Sequence, residues 1–202
     1  DMRRICARYG TLFIADEVMT GWGRTGTLLA CEQAEIEPDI LCLSKGLTGG
    51  AIPLAVTMAS EPVFDAHRSK DRARMFFHSS SYTANPIACA AANANLAIWR
   101  NEPVMQRIAN LGEGQAAQLS ALATHPAVQN PRQTGTITAF EVGEGSGYLS
   151  DLAPRMLALF RERNVLLRPL GNTIYVMPPY CISSEQLDCI YDTIREVIDD
   201  VT

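Results

Sequence analysis

A lysine closes the apolar run Pro38-Asp39-Ile40-Leu41-Cys42-Leu43-Ser44-Lys45, and the turn-forming Gly46-Leu47-Thr48-Gly49-Gly50 follows it. A short apolar run bounded by turn residues reads as a buried strand, here near 39–44. Lys45 at its end would stand at the rim of a core, where desolvation lowers the pKa of an amine and leaves it nucleophilic. The plainer reading is a lysine that snorkels to solvent, the usual place for this residue.

Upstream, Thr11-Leu12-Phe13-Ile14-Ala15-Asp16-Glu17-Val18 reads as a second strand, and it ends in an acid pair. Ligands of open parallel sheets bind beyond the carboxyl ends of the strands. Asp16 and Lys45 would then project toward one crevice. An amine and a carboxylate so placed suit pyridoxal phosphate: the lysine holds the aldehyde as a Schiff base, and the acid keeps the pyridine nitrogen protonated. A strand that ends in acids also resembles a Walker B strand. That alternative needs a glycine-rich phosphate loop with Lys-Ser/Thr, and this sequence has none.

The elements that must position these residues alternate through the first half. Strands are expected near 11–16, 39–44 and 54–59, and helices near 1–9, 62–68 and 86–100. The last of these opens on Pro86, a favoured first-turn position, and its alanines suit close packing on a sheet. Such alternation predicts a parallel, doubly wound sheet. Asn101-Glu102-Pro103 then breaks the chain, which sets a boundary between a domain over 1–103 and a smaller α+β domain over 104–202. In the latter we expect a helix over 104–123, weakened by Gly112-Glu113-Gly114, and a strand near 135–142. A helix over 151–163 and strands near 165–168 and 173–177 follow. The final helix starts at Ser183, where Gln186 completes a capping box and Leu187, Ile190, Ile194 and Val197 form one apolar face.

Composition narrows the function classes. The 202 residues are 47% hydrophobic with a formal charge of −5, which suits a globular protein with a real core and disfavours a nucleic-acid surface. No apolar stretch approaches a membrane span. The six cysteines form no Cys-x-x-Cys pair, and several fall in apolar segments. They read as buried free thiols in a reducing compartment. His67, His78 and His125 show no metal-ligand spacing, so no metal is expected. The chain opens on Asp1 in what reads as the last turns of a helix, and a fragment is expected.

Three segments together resemble class III (subgroup II) pyridoxal-phosphate aminotransferases. They are Ala15-Asp16-Glu17-Val18-Met19-Thr20-Gly21-Trp22-Gly23-Arg24-Thr25-Gly26, Pro38 to Gly50, and His78-Ser79-Ser80-Ser81-Tyr82-Thr83-Ala84-Asn85-Pro86. The resemblance implies an α/β fold of the type I pyridoxal-phosphate transferases: part of the large domain, with a mostly parallel sheet, followed by the small C-terminal domain. It covers nearly the whole chain and corresponds to the C-terminal half of a family member. Within the family, the runs 31–50 and 167–180 look most like members that aminate 8-amino-7-oxononanoate in biotin biosynthesis with S-adenosylmethionine as donor. Lysine-using relatives and members acting on ω-amino acids or ornithine stay open.

The resemblance also implies roles. Lys45 would be the Schiff-base lysine and the base that moves the proton. Asp16 would pair with the pyridine nitrogen, and Val18 would pack on one ring face. Ser81 would reach the phosphate of the neighbouring subunit's cofactor, which implies a cytoplasmic homodimer. Arg168 would receive the substrate carboxylate with its guanidinium fork, and Tyr175 would line the substrate pocket. Read alone, Arg168 equally suits a strand cap or a surface ion pair, Tyr175 a core aromatic, and His78 a structural residue. The chain departs from the family where Ser79 and Ala84 stand at positions often held by glycine, which restricts the loop. The family's upstream phosphate loop has no counterpart here. The chain alone is therefore expected to bind the cofactor weakly and to be inactive, or to serve only as a dimerisation piece.

Overall fold

The computed structural model describes residues 1–143 and 147–202. The chain forms two compact units. One comprises Asp1–Gly23 and Thr27–Val104, and the other Arg24–Gly26 and Met105–Thr202.

The first unit runs through α1 (Met2–Arg8), β1 (Ile14–Asp16), α2 (Ala30–Gln33), β2 (Ile40–Leu43), a 3₁₀ turn over Lys45–Thr48, β3 (Val56–Ala59), α3 (Glu61–His67) and α4 (Pro86–Asn101). Its sheet has the order β1-β2-β3. β1 and β2 pair parallel, with Asp16 opposite Cys42. The expected parallel arrangement stops there, because β3 pairs antiparallel with β2. Segment 44–55 carries one 3₁₀ turn and no crossover helix, so the chain returns along the same edge in the opposite sense. Asp39 fixes the start of β2: it accepts from both guanidinium nitrogens of Arg3 in α1 (2.9 and 3.1 Å) and from the Phe13 N–H (2.7 Å).

Strand alternation separates the acid pair. Ile14 and Asp16 are exposed, while Ala15 and Glu17 are buried. Glu17 accepts from the Thr20 hydroxyl and from the Cys31 N–H (2.7 Å) at the start of α2. Burial raises its pKa. The bonds from Thr20 and from the Ala30 and Cys31 backbone outweigh that and hold the carboxyl below its ordinary value. Burial and then the Glu17 carboxylate push the Cys31 thiol up to about 11.

α4 begins where its cap dictates. The Asn85 side chain accepts from the Ile87 N–H, and Pro86 occupies the first turn. Ala88 and Ala92 are its buried residues, and their small side chains let the helix pack against the 3₁₀ turn. Trp22, Leu47 and Ala92 form the small core of this unit, flanked by Leu54, Leu96 and Trp99.

The second unit holds α5 (Val104–Leu122, which begins at the boundary), β4 (Val128–Thr134), β5 (Ile137–Val142), α6 (Leu152–Glu162), β6 (Thr173–Val176) and α7 (Ser184–Val201). The sheet is antiparallel in the order β4-β5-β6. Thr138, Phe140 and Val142 of β5 and Ile174 and Val176 of β6 alternate inward, onto Leu111, Leu119 and Leu122 of α5, Met156 and Phe160 of α6, and the face of α7. That face is wider than the expected one, since Tyr191 and Ile198 are fully buried beside Leu187, Ile194 and Val197. The capping box of α7 is complete: Gln186 N–H donates to Ser183 Oγ (3.2 Å), and Ser183 N–H donates to Gln186 Oε1 (3.0 Å).

Three sequence expectations change. β4 adds a strand to those expected, and Pro131 lies within it. The strand survives by a bulge between Gln129 and Arg132, with Asn130 at φ 48°. The strand near 165–168 is absent. Leu167 is buried between exposed neighbours, as in a strand, but Pro169 has no N–H and a single bridge, Leu170–Thr173, forms instead. The helix expected over 104–123 forms, and α5 runs unbroken past Gly112. A Cβ there would lie 3.3 Å from the Gly135 carbonyl, so the glycine permits close approach of the β4–β5 turn. The cysteines are free, but none is fully buried, and Cys181 and Cys189 are exposed: the first lies in a turn, the second on the outer side of α7.

A polar cluster sits inside this apolar core. The fully buried Gln115 donates to the carbonyls of Thr136 (3.1 Å) and Val176 (3.3 Å) and accepts from the Tyr191 hydroxyl, which also bonds Thr138 Oγ1 (2.7 Å). Burial pushes the Tyr191 pKa up to about 12, so it remains a donor. Tyr191→Phe leaves Gln115 Oε1 with only a long bond to Thr138 (3.4 Å), and urea unfolding should show a loss of about 1–3 kcal/mol. Glu17 supplies a second expectation. Its depressed pKa contributes stability that is fully present above the ordinary value of 4.5 and is lost as pH falls through the lower folded value. Urea midpoints measured from pH 6 down to pH 3 should show this acid loss in the parent and a smaller loss in Glu17→Gln.

Candidate active site

Because β1 and β2 run parallel, their carboxyl ends open on the same side of the sheet. Asp16 is the last residue of β1, and Lys45 lies three residues past its register partner Cys42. Asp16 is exposed and accepts the Val18 N–H at 3.1 Å, which turns the chain and half-buries Val18 beside it. The sheet thus brings Asp16, Val18 and Lys45 to one edge.

Lys45 itself is exposed, contrary to the expected desolvated position. The turn sends Leu47 and Thr48 inward and leaves the lysine on its open side. Lys45 has φ 43°, a left-handed conformation that L-residues avoid. Several contacts hold it. Ser44 Oγ donates to the Leu54 carbonyl and Thr48 Oγ1 to the Ile52 carbonyl, each at 2.7 Å. Gly46 lies on Trp22, so close that a Cβ there would sit 2.5 Å from Trp22 Cβ. Trp22 is backed edge-on by Trp99 at 5.6 Å. From α4, Asn95 donates to the carbonyls of Gly46 (2.8 Å) and Leu47 (3.2 Å).

Ser81 lies on an exposed loop before α4. Its hydroxyl accepts from Ser79 Oγ (3.0 Å), and its N–H donates to the same oxygen (3.2 Å). Of the two residues at glycine-favoured positions, Ala84 takes a left-handed φ of 54°, whereas Ser79 does not.

Arg168 and Tyr175 belong to the second unit. Arg168 is exposed on the extended segment before β6 and, among the described residues, makes no ion pair. Tyr175 is half-buried on the face of β6 opposite Ile174 and Val176, and so lies outside the core. The same unit holds Arg24, which sequence reasoning left unassigned. Its guanidinium lies 4.4 Å over the Tyr180 ring and donates to the Pro178 carbonyl at 2.6 Å. Trp22, Asn95 and Glu17 were also missed. Strand alternation could have identified Glu17 as buried; no local signal marks the other two.

An amine and a carboxylate, both accessible at the carboxyl ends of adjacent parallel strands, fit the aldehyde and ring nitrogen of pyridoxal phosphate in chemistry and in placement. Ala84 yields a direct check on the loop. Ala84→Gly removes a Cβ from a left-handed position, and the gain should be about 0.5–1 kcal/mol after glycine's extra chain entropy is subtracted, read from urea unfolding.

The chain matches known proteins along nearly its whole length. The family model described as aminotransferase class-III matches residues 1–198. Adenosylmethionine-8-amino-7-oxononanoate aminotransferase of Synechococcus elongatus is 45% identical over 193 residues, which is 95% of this chain and 45% of the relative. The Geobacter sulfurreducens protein of the same name is 36% identical over 208 residues, covering 100% and 46%. Among solved structures, an (S)-enantioselective omega-transaminase from Thermomicrobium roseum superimposes with a TM-score of 0.90 at 32% identity, covering 99% of this chain and 46% of that one. The adenosylmethionine-8-amino-7-oxononanoate aminotransferase of Methanocaldococcus jannaschii gives 0.90 at 30%, covering 98% and 48%. The chain spans about half the length of the relatives it matches. With a family match along nearly all of its residues and the fold type I architecture of its structural neighbours, the chain belongs to the class III aminotransferases.

Proposed function

We propose that this chain carries the lysine-bearing part of an aminotransferase that converts 8-amino-7-oxononanoate to 7,8-diaminononanoate, with S-adenosylmethionine as amino donor, in biotin biosynthesis. The observation that carries the reading is the shared edge of β1 and β2, where Asp16 and the braced Lys45 emerge side by side in topology. The names of the relatives from S. elongatus, G. sulfurreducens and M. jannaschii support the substrate.

Pyridoxal phosphate, when bound, supplies an electron sink for the carbanion formed at the donor's α-carbon. The protein groups do the rest. Lys45 Nζ would hold the cofactor's aldehyde and, once freed by the donor amine, would serve as the base that moves the α-proton from the donor's carbon to the cofactor's. The Asp16 carboxylate would keep a proton on the ring nitrogen, and Val18 would pack on a ring face. Arg168 would receive the carboxylate of the oxononanoate through its guanidinium fork, and Tyr175 would line the path of its apolar chain. Ser81 would donate to the phosphate held by a second copy, so the working form would be a homodimer; its free cysteines suit the reducing cytoplasm. The described residues include no helix long and apolar enough to cross a membrane.

Lys45 and Lys70 are the only lysines of the chain, which makes a decisive test simple. The protein purified from its natural source is treated with pyridoxal phosphate and borohydride, and Lys45 and Lys70 are compared by peptide mapping. Lys45 should be labelled about tenfold faster than Lys70, and Asp16→Asn should abolish most of that preference. Equal labelling would overturn the reading. A second reading, transamination of ω-amino compounds, draws on the T. roseum omega-transaminase. Amination of the oxononanoate acceptor, followed by mass spectrometry against an ω-amino acid and ornithine, separates the two.

A further inference from the structure

We infer that Asn95 is a positioning residue for Lys45. The inference rests on the reading of Lys45 as the cofactor-bearing lysine and adds a residue to that site. Asn95 lies three turns into α4, with its side chain half-buried, and its amide donates to the carbonyls of Gly46 and Leu47. They belong to the second and third peptide groups after Lys45, Gly46–Leu47 and Leu47–Thr48. A single 3₁₀ turn leaves most of its carbonyls without an internal partner. The Gly49 N–H donates to the Gly46 carbonyl at 3.2 Å, and the Ala51 N–H to that of Thr48 at 3.2 Å. The two bonds from Asn95 fix the planes of those peptides, and so hold the turn whose first residue, Lys45, carries the left-handed φ.

The other contacts act from different directions. Trp22 supports Gly46 from beneath, and Ser44 and Thr48 tie the turn sideways to segment 52–54. Only Asn95 joins the turn to α4 by side-chain hydrogen bonds among the described residues. The N-terminal cap of the same helix, Asn85, ends the loop that carries Ser81. Ten residues of helix, about 15 Å, therefore connect the phosphate-contacting loop to the lysine turn. Asn95 makes the placement of the lysine depend on the register of α4.

The labelling ratio of Lys45 to Lys70 provides the readout, because Lys70 is exposed in the same chain and cancels any change in reagent. Asn95→Ala suits the helix and removes both donors. It should lower the ratio about tenfold or more and speed hydrogen exchange of the Leu47 and Gly49 amides. The near-UV signal of the Trp22–Trp99 pair should stay unchanged. Asn95→Gln keeps an amide donor and should restore part of the ratio, and it is the variant to use if the alanine form unfolds. A parental preference for Lys45 that survives in Asn95→Ala, with slow amide exchange, overturns the role of Asn95 alone. A parent without preference overturns the reading of Lys45 and the positioning role together.

Discussion

The missing side chain of Gly46 is the constraint on which the lysine site depends. Trp22 occupies the volume where a Cβ would stand, so turn and indole meet in the small core that Trp22, Leu47 and Ala92 form. That contact sets the depth of the turn. It sends Leu47 and Thr48 inward and leaves Lys45 outside. Trp22 also adopts a left-handed φ of 63°, so both partners sit in conformations that L-residues disfavour. Backbone strain of this kind persists only where surrounding contacts over-determine it. The hydrogen bonds of Ser44, Thr48 and Asn95 supply that over-determination.

The second unit solves the opposite problem. Its core is large and apolar, and one polar cluster inside it must be satisfied atom by atom. Gln115 directs its amide to two carbonyls, one in the β4–β5 turn and one in β6, and its oxygen to Tyr191. A helix, two strands and another helix are thereby held in one register. One of those carbonyls belongs to Val176, the neighbour of Tyr175, so a residue on the outer face of β6 inherits its position from a bond made on the inner face.

Much of this was legible in the sequence. The strand-lysine-glycine pattern placed Lys45 on a turn, and Asn85-Pro86 and Ser183 with Gln186 marked helix starts that the structure has. The α/β class followed from alternation, and the family from three motifs. What escaped notice depends on partners distant in sequence. Pro131 argues against a strand until a bulge absorbs it. Val165–Arg168 alternates as a strand does but finds no ladder. Asn95 looks like one more polar residue of an alanine-rich helix, and only the fold reveals carbonyls nearly fifty residues away as its acceptors. The exposure of Lys45 likewise depends on which turn residues the tryptophan draws inward.

The bulge in β4 has a consequence beyond its own strand. β4 is an outer strand of its sheet, and outer strands offer rows of unpaired N–H and carbonyl groups to any passing chain. Pro131 deletes a donor from that row, and the left-handed Asn130 turns the row out of plane. The Asn130 and Arg132 side chains are tied back to Glu141 of the neighbouring strand, which places charge along the margin. An incoming strand would find neither a straight template nor an uncharged one. The irregularity that hid β4 from pattern reading therefore also protects the sheet from growing by edge-to-edge aggregation.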